Sequence, residues 1–485
     1  MSARTEHLAS RGVDLHLTLD DGSGLTQQIY DQIRHAILSG RLPSEARLPS
    51  SRELAQSLGI ARNTVSAAFD HLLAEGYIHA RTGVGTFVSP DADPAARPPE
   101  RRSSPLTPVP LWRSAAPEVP VLDGEPPAYD FRSGMPDDSR FPYPAWRRHV
   151  DGVARRSSLG AVYADPAGPG VLRAAIARHL GVSRGLSIGA DDLIVTNGVQ
   201  QALSLLAQVL VEPGDVVAFE DPGYPPARRA FEAARATIVP VPVDEQGIVV
   251  DRLPPQATAV YVTPAHQFPL GVRMSLARRT ALLEWARAAD AAVIEDDYDT
   301  DFRYGARPID PLHALDQAGR VVYIGSFSKS MLPTLRSGYC VAPPNLLDAL
   351  RRARFVADWH GPTTIQLALA GFIDEGRLAS HVRRMRRVYE QRRDRIAMVL
   401  ERVFRPHLRP IPTAAGLHLA ATCEGATHET VAEWIMACEK EGVALQSVGE
   451  FALGDVLPGV MLGFGAIPLE RIDEGLRRLR MVIGS

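Results

Sequence analysis

Gly325-Ser326-Phe327-Ser328-Lys329-Ser330-Met331-Leu332-Pro333-Thr334-Leu335-Arg336-Ser337-Gly338 follows the apolar run Val321 to Ile324. The run reads as a buried strand that enters a loop of small residues. The 485-residue chain has only two lysines, Lys329 and Lys440, among a great many arginines. Where nearly every cation is written as Arg, a retained Lys marks chemistry that a guanidinium cannot perform. A desolvated ammonium can lose its proton and attack a carbonyl to form an imine, whereas Arg stays protonated. Lys440, set in Cys438-Glu439-Lys440-Glu441, reads as a solvated surface residue. Lys329 is flanked by serines, and Arg336 follows one short loop later. Hydroxyls and a planar cation make a phosphate cradle. The combination suits pyridoxal 5'-phosphate, with an imine at one end and the phosphate at the other.

The length predicts more than one domain and a large core. A net charge of -3 gives no overall nucleic-acid signal, so any DNA contact must come from a local surface. Cys340, Cys423 and Cys438 fit neither a disulfide framework nor metal-ligand spacing, which favours a reducing compartment. There is no basic-then-apolar leader and no apolar run of membrane-spanning length, so the expected location is cytoplasmic, with no membrane partner.

Residues 14–90 are expected to form the first domain. Leu25, Ile29, Ile33 and Ile37 recur at helical spacing before Gly40. In Leu48-Pro49-Ser50-Ser51-Arg52-Glu53-Leu54-Ala55-Gln56-Ser57-Leu58-Gly59, Ser50 and Glu53 have capping-box spacing and Gly59 suits the helix end. A third helix is predicted from Arg62 to Glu75. Tyr77 to Ala80 and Thr86 to Val88 read as strands around a small wing, Arg81 to Gly85. Two short helices and a hairpin spell a winged helix-turn-helix.

The pattern Leu-Pro-Ser-x-Arg-x-Leu-Ala, then Leu-Gly-Ile-x-Arg-x-Thr-Val, closely resembles the GntR family of transcription factors. That resemblance implies a double-stranded DNA operator touched by Arg52, Arg62, Asn63, Thr64 and Ser66, with Gly83 at the wing tip. Arg62 and Asn63 open the recognition helix, where side chains meet base edges. Ala61 departs from the family's usual Ser or Thr cap, at a cost of roughly 1 kcal/mol. The competing reading is a helical hairpin that binds protein.

From 91 to 128 the prolines, among them Pro94, Pro98, Pro99, Pro105, Pro108, Pro110, Pro117 and Pro120, are expected to exclude helix. They make a semi-rigid linker.

Residues 129–485 alternate apolar strands with amphipathic helices, as in an α/β domain whose mostly parallel sheet is covered by helices. Leu193 to Thr196 reads as a strand, and Gly198, Val199 and Gln200 open the next helix, where backbone amides suit a phosphate. Another strand ends near Tyr224, whose ring could stack on a flat cofactor. Val260 to Thr263 leads into Pro264-Ala265-His266-Gln267-Phe268. Ala291 to Ile294 leads into Glu295-Asp296-Asp297-Tyr298-Asp299. A carboxylate at such a strand end can keep a pyridine nitrogen protonated. A tyrosine two residues on points the same way. No metal is expected, since no histidines stand at ligand spacing.

These strand-end motifs resemble, in order, those of fold-type I aminotransferases. With the GntR-like head the chain is similar to the MocR/PdxR subfamily of regulators. The resemblance implies that Lys329 carries the cofactor imine and that Asp296, or one register along Asp297, pairs with the ring nitrogen. Tyr298 would meet the ring hydroxyl, and Gly198, Val199, Gln200, Ser326, Ser328 and Arg336 would hold the phosphate. Tyr224 would stack on the ring, with His266 and Gln267 near it. Tyr163 would reach across from the second subunit of a homodimer.

One departure bears on function. Such aminotransferases clamp a substrate carboxylate with an Arg in the last strand of the small domain, and Met461 stands there, unless another Arg such as Arg132 serves. The expected function is a regulator that senses an amine, an amino compound or the cofactor itself, with at most a slow half-reaction. The alternative is a working aminotransferase with a fused DNA-binding head. A purely architectural DNA-binding protein leaves the cofactor residues unexplained.

Overall fold

The computed structural model describes residues 4–10, 13–20, 24–90, 107–113, 127–155, 162–305 and 310–484. They fall into two compact units, Met1–Arg113 and Ser114–Ser485.

In the first unit, Leu25–Leu38 is a helix whose Ile29, Ile33 and Ile37 are buried. Each such side chain contributes about 2 kcal/mol by leaving water. The second helix, Ser51–Leu58, has the anticipated capping box. The Glu53 amide donates to Ser50 Oγ at 3.2 Å and the Ser50 amide donates to Glu53 Oε2 at 2.8 Å. It stops at Gly59, whose φ of 63° is the left-handed cap that glycine adopts without penalty. The third helix, Arg62–Ala74, starts at Ala61 with no side-chain cap. Ile78–Arg81 and Gly85–Val88 pair as the wing.

Two features lie outside the expectation. Arg47–Leu48 adds a third strand beside Gly85–Val88. Arg4–Ser10 pairs with Val13–Leu19 as a hairpin ahead of the first helix. Leu15, Leu17 and Leu19 alternate into the core of this unit, the period-two pattern of a strand with one buried face.

Most of the linker, 91–106 and 114–126, lies outside the described residues. The expectation that its prolines exclude helix is corrected at Pro110–Arg113, a short helix. Pro110 occupies the first helical position, where its missing N–H would have no partner anyway.

Among the described residues of the second unit, the largest sheet has eight strands. Its order is Gly247–Ile248, Thr237–Asp244, Val216–Asp221, Ala257–Val262, Ala292–Asp297, Val321–Ser326, Gly338–Val341 and Leu193–Thr196. Thr237–Asp244 through Val321–Ser326 run parallel. Gly338–Val341 runs antiparallel to both of its neighbours. The four parallel strands from Val216–Asp221 to Val321–Ser326 are buried on both faces, as strands between two helical layers are, whereas Thr237–Asp244 nearer the edge is largely half-buried or exposed. Their carboxyl ends converge on the residues singled out above, the usual location of a ligand crevice in an open α/β sheet.

A smaller sheet orders Leu408–Pro410, His418–Cys423, Gly459–Gly463 and Gln446–Ser447. Leu419, Ala421, Val460 and Leu462 on one face enter a core with Met385, Tyr389, Ile472 and Leu476 from the helices. His418, Ala420 and Met461 lie on the other face, since antiparallel partners share a face.

Candidate functional site: a buried lysine between paired carboxylates and an arginine

The strand Val321–Ser326 delivers Lys329 into a loop, where Nζ donates to the Gly134 carbonyl at 2.7 Å. Gly134 has φ 77°, and a Cβ there would stand 3.0 Å from Nζ. Glycine therefore permits both the turn and the approach. Burial lowers the Lys329 pKa, against the opposing pull of Asp299 and Asp296. An amine so placed is closer to its nucleophilic form than a surface lysine.

Asp296 and Asp297 end the strand Ala292–Asp297 and divide by strand alternation. Asp297 Oδ2 accepts from Arg184 Nε at 2.5 Å and from the Tyr323 hydroxyl. Burial pushes its pKa up, but Arg184, Thr300 and Tyr323 outweigh this and hold it low. Asp297 Oδ2 is committed to the scaffold by an ion pair, although its Oδ1 too is buried without a hydrogen-bond partner. Asp296 Oδ2 accepts from the Tyr261 hydroxyl at 2.7 Å, while Oδ1 is buried with no partner. Burial raises its pKa to about 7, against that hydrogen bond. A buried oxygen left in this state suits a donor brought by a ligand.

The Tyr298 hydroxyl donates to the His266 carbonyl at 3.0 Å and lies 3.0 Å from His266 Nδ1. Nδ1 also faces both oxygens of Asp299 at 3.0 and 3.1 Å. His418 lies tilted against the His266 ring, 4.6 Å between centroids, and its Nε2 is 3.1 Å from the Pro269 carbonyl. His266, Asp299 and His418 thus form a buried cluster whose ligand atoms lie within 4.8 Å of one another. No sequence spacing hinted at it, because the three residues come from separate elements. Hydrogen bonds within the cluster and to Pro269 satisfy most of it. His266 Nε2 is left without a partner.

Gly198, with φ 88°, opens the helix Val199–Leu210. Arg336 Nη2 donates to the Asn197 carbonyl at 2.9 Å and would stand 3.1 Å from a Cβ on Gly198. The Ser326 and Ser328 hydroxyls lie 2.8 Å apart, and the Ser328 amide donates to Ser326 Oγ at 2.9 Å. Guanidinium, hydroxyls and first-turn amides form a cradle that a side chain on Gly198 would crowd. Gln200 Nε2 is spent on the Pro226 carbonyl at 2.9 Å, so its backbone is the group left to serve.

Tyr224 packs edge-on to Phe268 at 5.6 Å, and burial pushes its hydroxyl to about 12. Gln267 is a loop tie, donating to the Pro222 and Phe268 carbonyls at 2.8 and 2.6 Å. Tyr163 stacks on Trp359 at 4.0 Å and is 70% exposed. Arg132 is forked onto Asp130 at 2.9 and 2.6 Å. Sequence reasoning did not single out Gly134, Tyr261, Asp299 or His418, although Tyr261 and Asp299 stand in the strand-end runs themselves.

In the first unit Arg52, Arg62, Asn63 and Gly83 are exposed, and Thr64 and Ser66 half-buried. Arg81 pairs with Glu45 and lies over Phe87.

The donor set fits pyridoxal phosphate. Lys329, the orphaned Asp296 oxygen and the Gly198–Arg336 cradle match its aldehyde, ring nitrogen and phosphate.

Residues 25–88 match the family of bacterial regulatory proteins, gntR family, and residues 129–478 match aminotransferase class I and II. The "Probable rhizopine catabolism regulatory protein MocR" of Rhizobium meliloti is 36% identical over 473 residues, which cover 96% of this chain and 95% of that one. The pyridoxine biosynthesis transcriptional regulator PdxR of Corynebacterium glutamicum is 34% identical over 416 residues, covering 85% and 86%. Among solved structures, Pyrococcus horikoshii kynurenine aminotransferase superposes with a TM-score of 0.68 at 29% identity. It covers 73% of this chain and 90% of its own. The chain is a transcriptional regulator of the MocR/PdxR subfamily of the GntR family, a helix-turn-helix unit followed by a fold-type I aminotransferase domain.

Proposed function

We propose that this regulator binds pyridoxal phosphate through Lys329 and changes its hold on an operator when an amine, an amino compound or the cofactor itself occupies the site. The observation that carries the reading is the placement of Lys329 under the influence of Asp299, Asp296 and Arg336, with Asp296 Oδ1 unpaired. When bound, the cofactor supplies an electrophilic carbon and an electron-withdrawing ring. Lys329 would supply the amine that holds the cofactor at its carbonyl carbon. Asp296 holds a proton at the ring nitrogen, Tyr298 turns its hydroxyl toward the ring oxygen, and Arg336 with the Gly198 and Val199 amides neutralises the phosphate.

The resting contact of Lys329 on the Gly134 carbonyl ties the sensing amine to the loop 132–135. Engagement of Lys329 with the cofactor would give up that contact and its release by an incoming amine would restore it, which gives the ligand two states to choose between. In the first unit, Arg52, Arg62, Asn63, Thr64 and Ser66 read the duplex with Gly83 at the wing. The exposed Tyr163–Trp359 stack, with Phe355 at 49% and Val356 at 81% exposure, supports a homodimer in which Tyr163 serves the second site. The proposed location is the cytoplasm; among the described residues no helix is long and apolar enough to cross a membrane.

The purified protein should absorb in the visible, and Lys329→Ala should lose that band while keeping its helical circular dichroism. A band retained in Lys329→Ala sinks the assignment. Rapid, stoichiometric conversion of an ordinary amino acid to its keto acid, without effect on DNA binding, would favour the enzyme instead.

A further inference from the structure

We infer that the space beside Lys329 accepts an amine that carries no carboxylate, an inference that rests on reading Lys329 as the imine-forming residue. The charges facing the Lys329 amine are Asp299, Asp296 and Arg336. Both acids are 3% exposed. Arg336 is turned to the other end of the site, on the Asn197 carbonyl above Gly198.

A guanidinium on the loop that Lys329 touches is Arg132, two residues before Gly134. Both arms of its fork, and its own amide at 3.0 Å, are engaged by Asp130. His266 faces Asp299, and burial keeps His418 well below its ordinary pKa, hence neutral. Among the described residues facing this end of the site, no cation is left without a partner for an incoming anion.

The wall opposite is apolar. Met461 is fully buried and pairs with Ala420 on one side and Gln446 on the other. The neighbouring pair, His418 and Gly463, fixes which face this is. His418 meets His266 at 4.6 Å and Phe268 at 5.7 Å, and a Cβ on Gly463 would strike the Arg132 carbonyl. Gln446 Oε1 accepts from the Ser133 amide and hydroxyl at 3.0 and 2.9 Å. Its amide nitrogen has no hydrogen bond among the described residues. Met461 and Ala420 therefore line the side of the small sheet that meets the loop holding Lys329.

A carboxylate placed here would join two buried aspartates with no free counter-charge, which is costlier than any neutral group of the same size. An uncharged body on the amine loses nothing against Met461 and Ala420. One neutral acceptor on that body could be met by the Gln446 amide.

The test uses the full-length protein loaded with pyridoxal phosphate and pairs of ligands that differ only in the carboxylate. The pairs are 2-phenylethylamine with L-phenylalanine and ethylamine with L-alanine. The readouts are the shift of the visible band and the thermal midpoint in the same titrations. The amine of each pair should act at a concentration lower by roughly tenfold or more. Met461→Arg, which adds a cation to the wall, should narrow or reverse the order. Asp130→Asn, which releases Arg132 without touching the core, should move it the same way and keeps the test alive if Met461→Arg does not fold. A Lys329-dependent band that L-amino acids shift at the lower concentration overturns this inference alone, as does an unchanged order in a folded variant. A band that does not depend on Lys329 overturns the cofactor reading and this inference with it.

Discussion

The Tyr261 hydroxyl donates to Asp296 Oδ2 at 2.7 Å, and the other oxygen of that carboxylate has no partner in a fully buried site. The two residues end adjacent parallel strands, Ala257–Val262 and Ala292–Asp297. Tyr261 thus orients Asp296 and leaves Oδ1 without a partner, and in the proposed function that oxygen would accept from the ring N–H. Removing a hydrogen bond to a buried charged group costs about 1.5–3 kcal/mol. Tyr261→Phe should weaken pyridoxal phosphate binding by roughly tenfold or more, with the fold intact. Titration of the visible band checks this, and an unchanged dissociation constant would rule out the orienting role.

The buried acids make a second expectation. Burial raises Asp296, Glu220 and Glu295 to about 7 each, against the hydrogen bonds they accept. Their folded pKa lies above the unfolded value of about 4. The stability they lend is fully present below about pH 4 and is lost as pH rises through about 7. Each of these acids therefore contributes less stability at pH 8 than at pH 5, while His418 and His381, whose pKa burial lowers, contribute in the opposite direction, so the difference in slope between the parent and a single variant isolates one acid. Cofactor-free Asp296→Asn should lack that acid's share of the decline. Thermal unfolding across this pH range would decide it, and a variant with the parent's slope would count against Asp296 as a contributor.

Asp221 Oδ1 and Oδ2 accept from the Leu453 and Gly454 amides at 2.8 Å each, and the Phe451 carbonyl accepts from the Gly223 amide at 3.0 Å. Phe451 lies edge-on to Phe268 at 4.9 Å. This clasp joins the small sheet's loop to the end of a strand in the large sheet. Asp221→Ala should destabilise the second unit by roughly 2 kcal/mol and speed loss of bound cofactor. Denaturant unfolding and dilution-driven cofactor release measure the two effects. A variant matching the parent in both would show that the clasp contributes nothing.

The head separates stability from recognition. Ser50→Ala removes one half of the capping box and should cost about 1 kcal/mol of stability. Arg62 is exposed, with one long contact of 3.5 Å to Ser51 Oγ, so Arg62→Ala should leave the melting curve nearly unchanged. It should nonetheless lose about 1–3 kcal/mol of binding to a duplex selected from a random pool, the worth of a bidentate base contact. Gel shifts on the same duplex read the difference. Equal binding by both variants and the parent would remove Arg62 from the interface.

Much of the head was legible because helix caps and amphipathic spacing are local. Ser50, Glu53 and Gly59 act within one helix, so reading them required no partner. The Arg4–Ser10 and Val13–Leu19 hairpin was missed because its polar residues mask the alternation of Leu15, Leu17 and Leu19. The helix at Pro110–Arg113 is not legible from proline content, because proline breaks a helix in its interior but is tolerated at its first position.

By itself the sequence determined the two-part organisation, the strand-end chemistry and the singular lysine, because residue type and spacing carry these directly. Tertiary structure alone decided which aspartate is available. Alternation turns Asp297 toward Arg184, 113 residues earlier, and Asp296 toward Tyr261, 35 residues earlier. That Arg132 is no substitute anchor is, by contrast, a local matter, since Asp130 two residues earlier fills its fork. A charge is a property of a residue, but whether that charge is spent depends on which partners the fold brings within 3 Å, and in a parallel sheet those partners are distant in the chain.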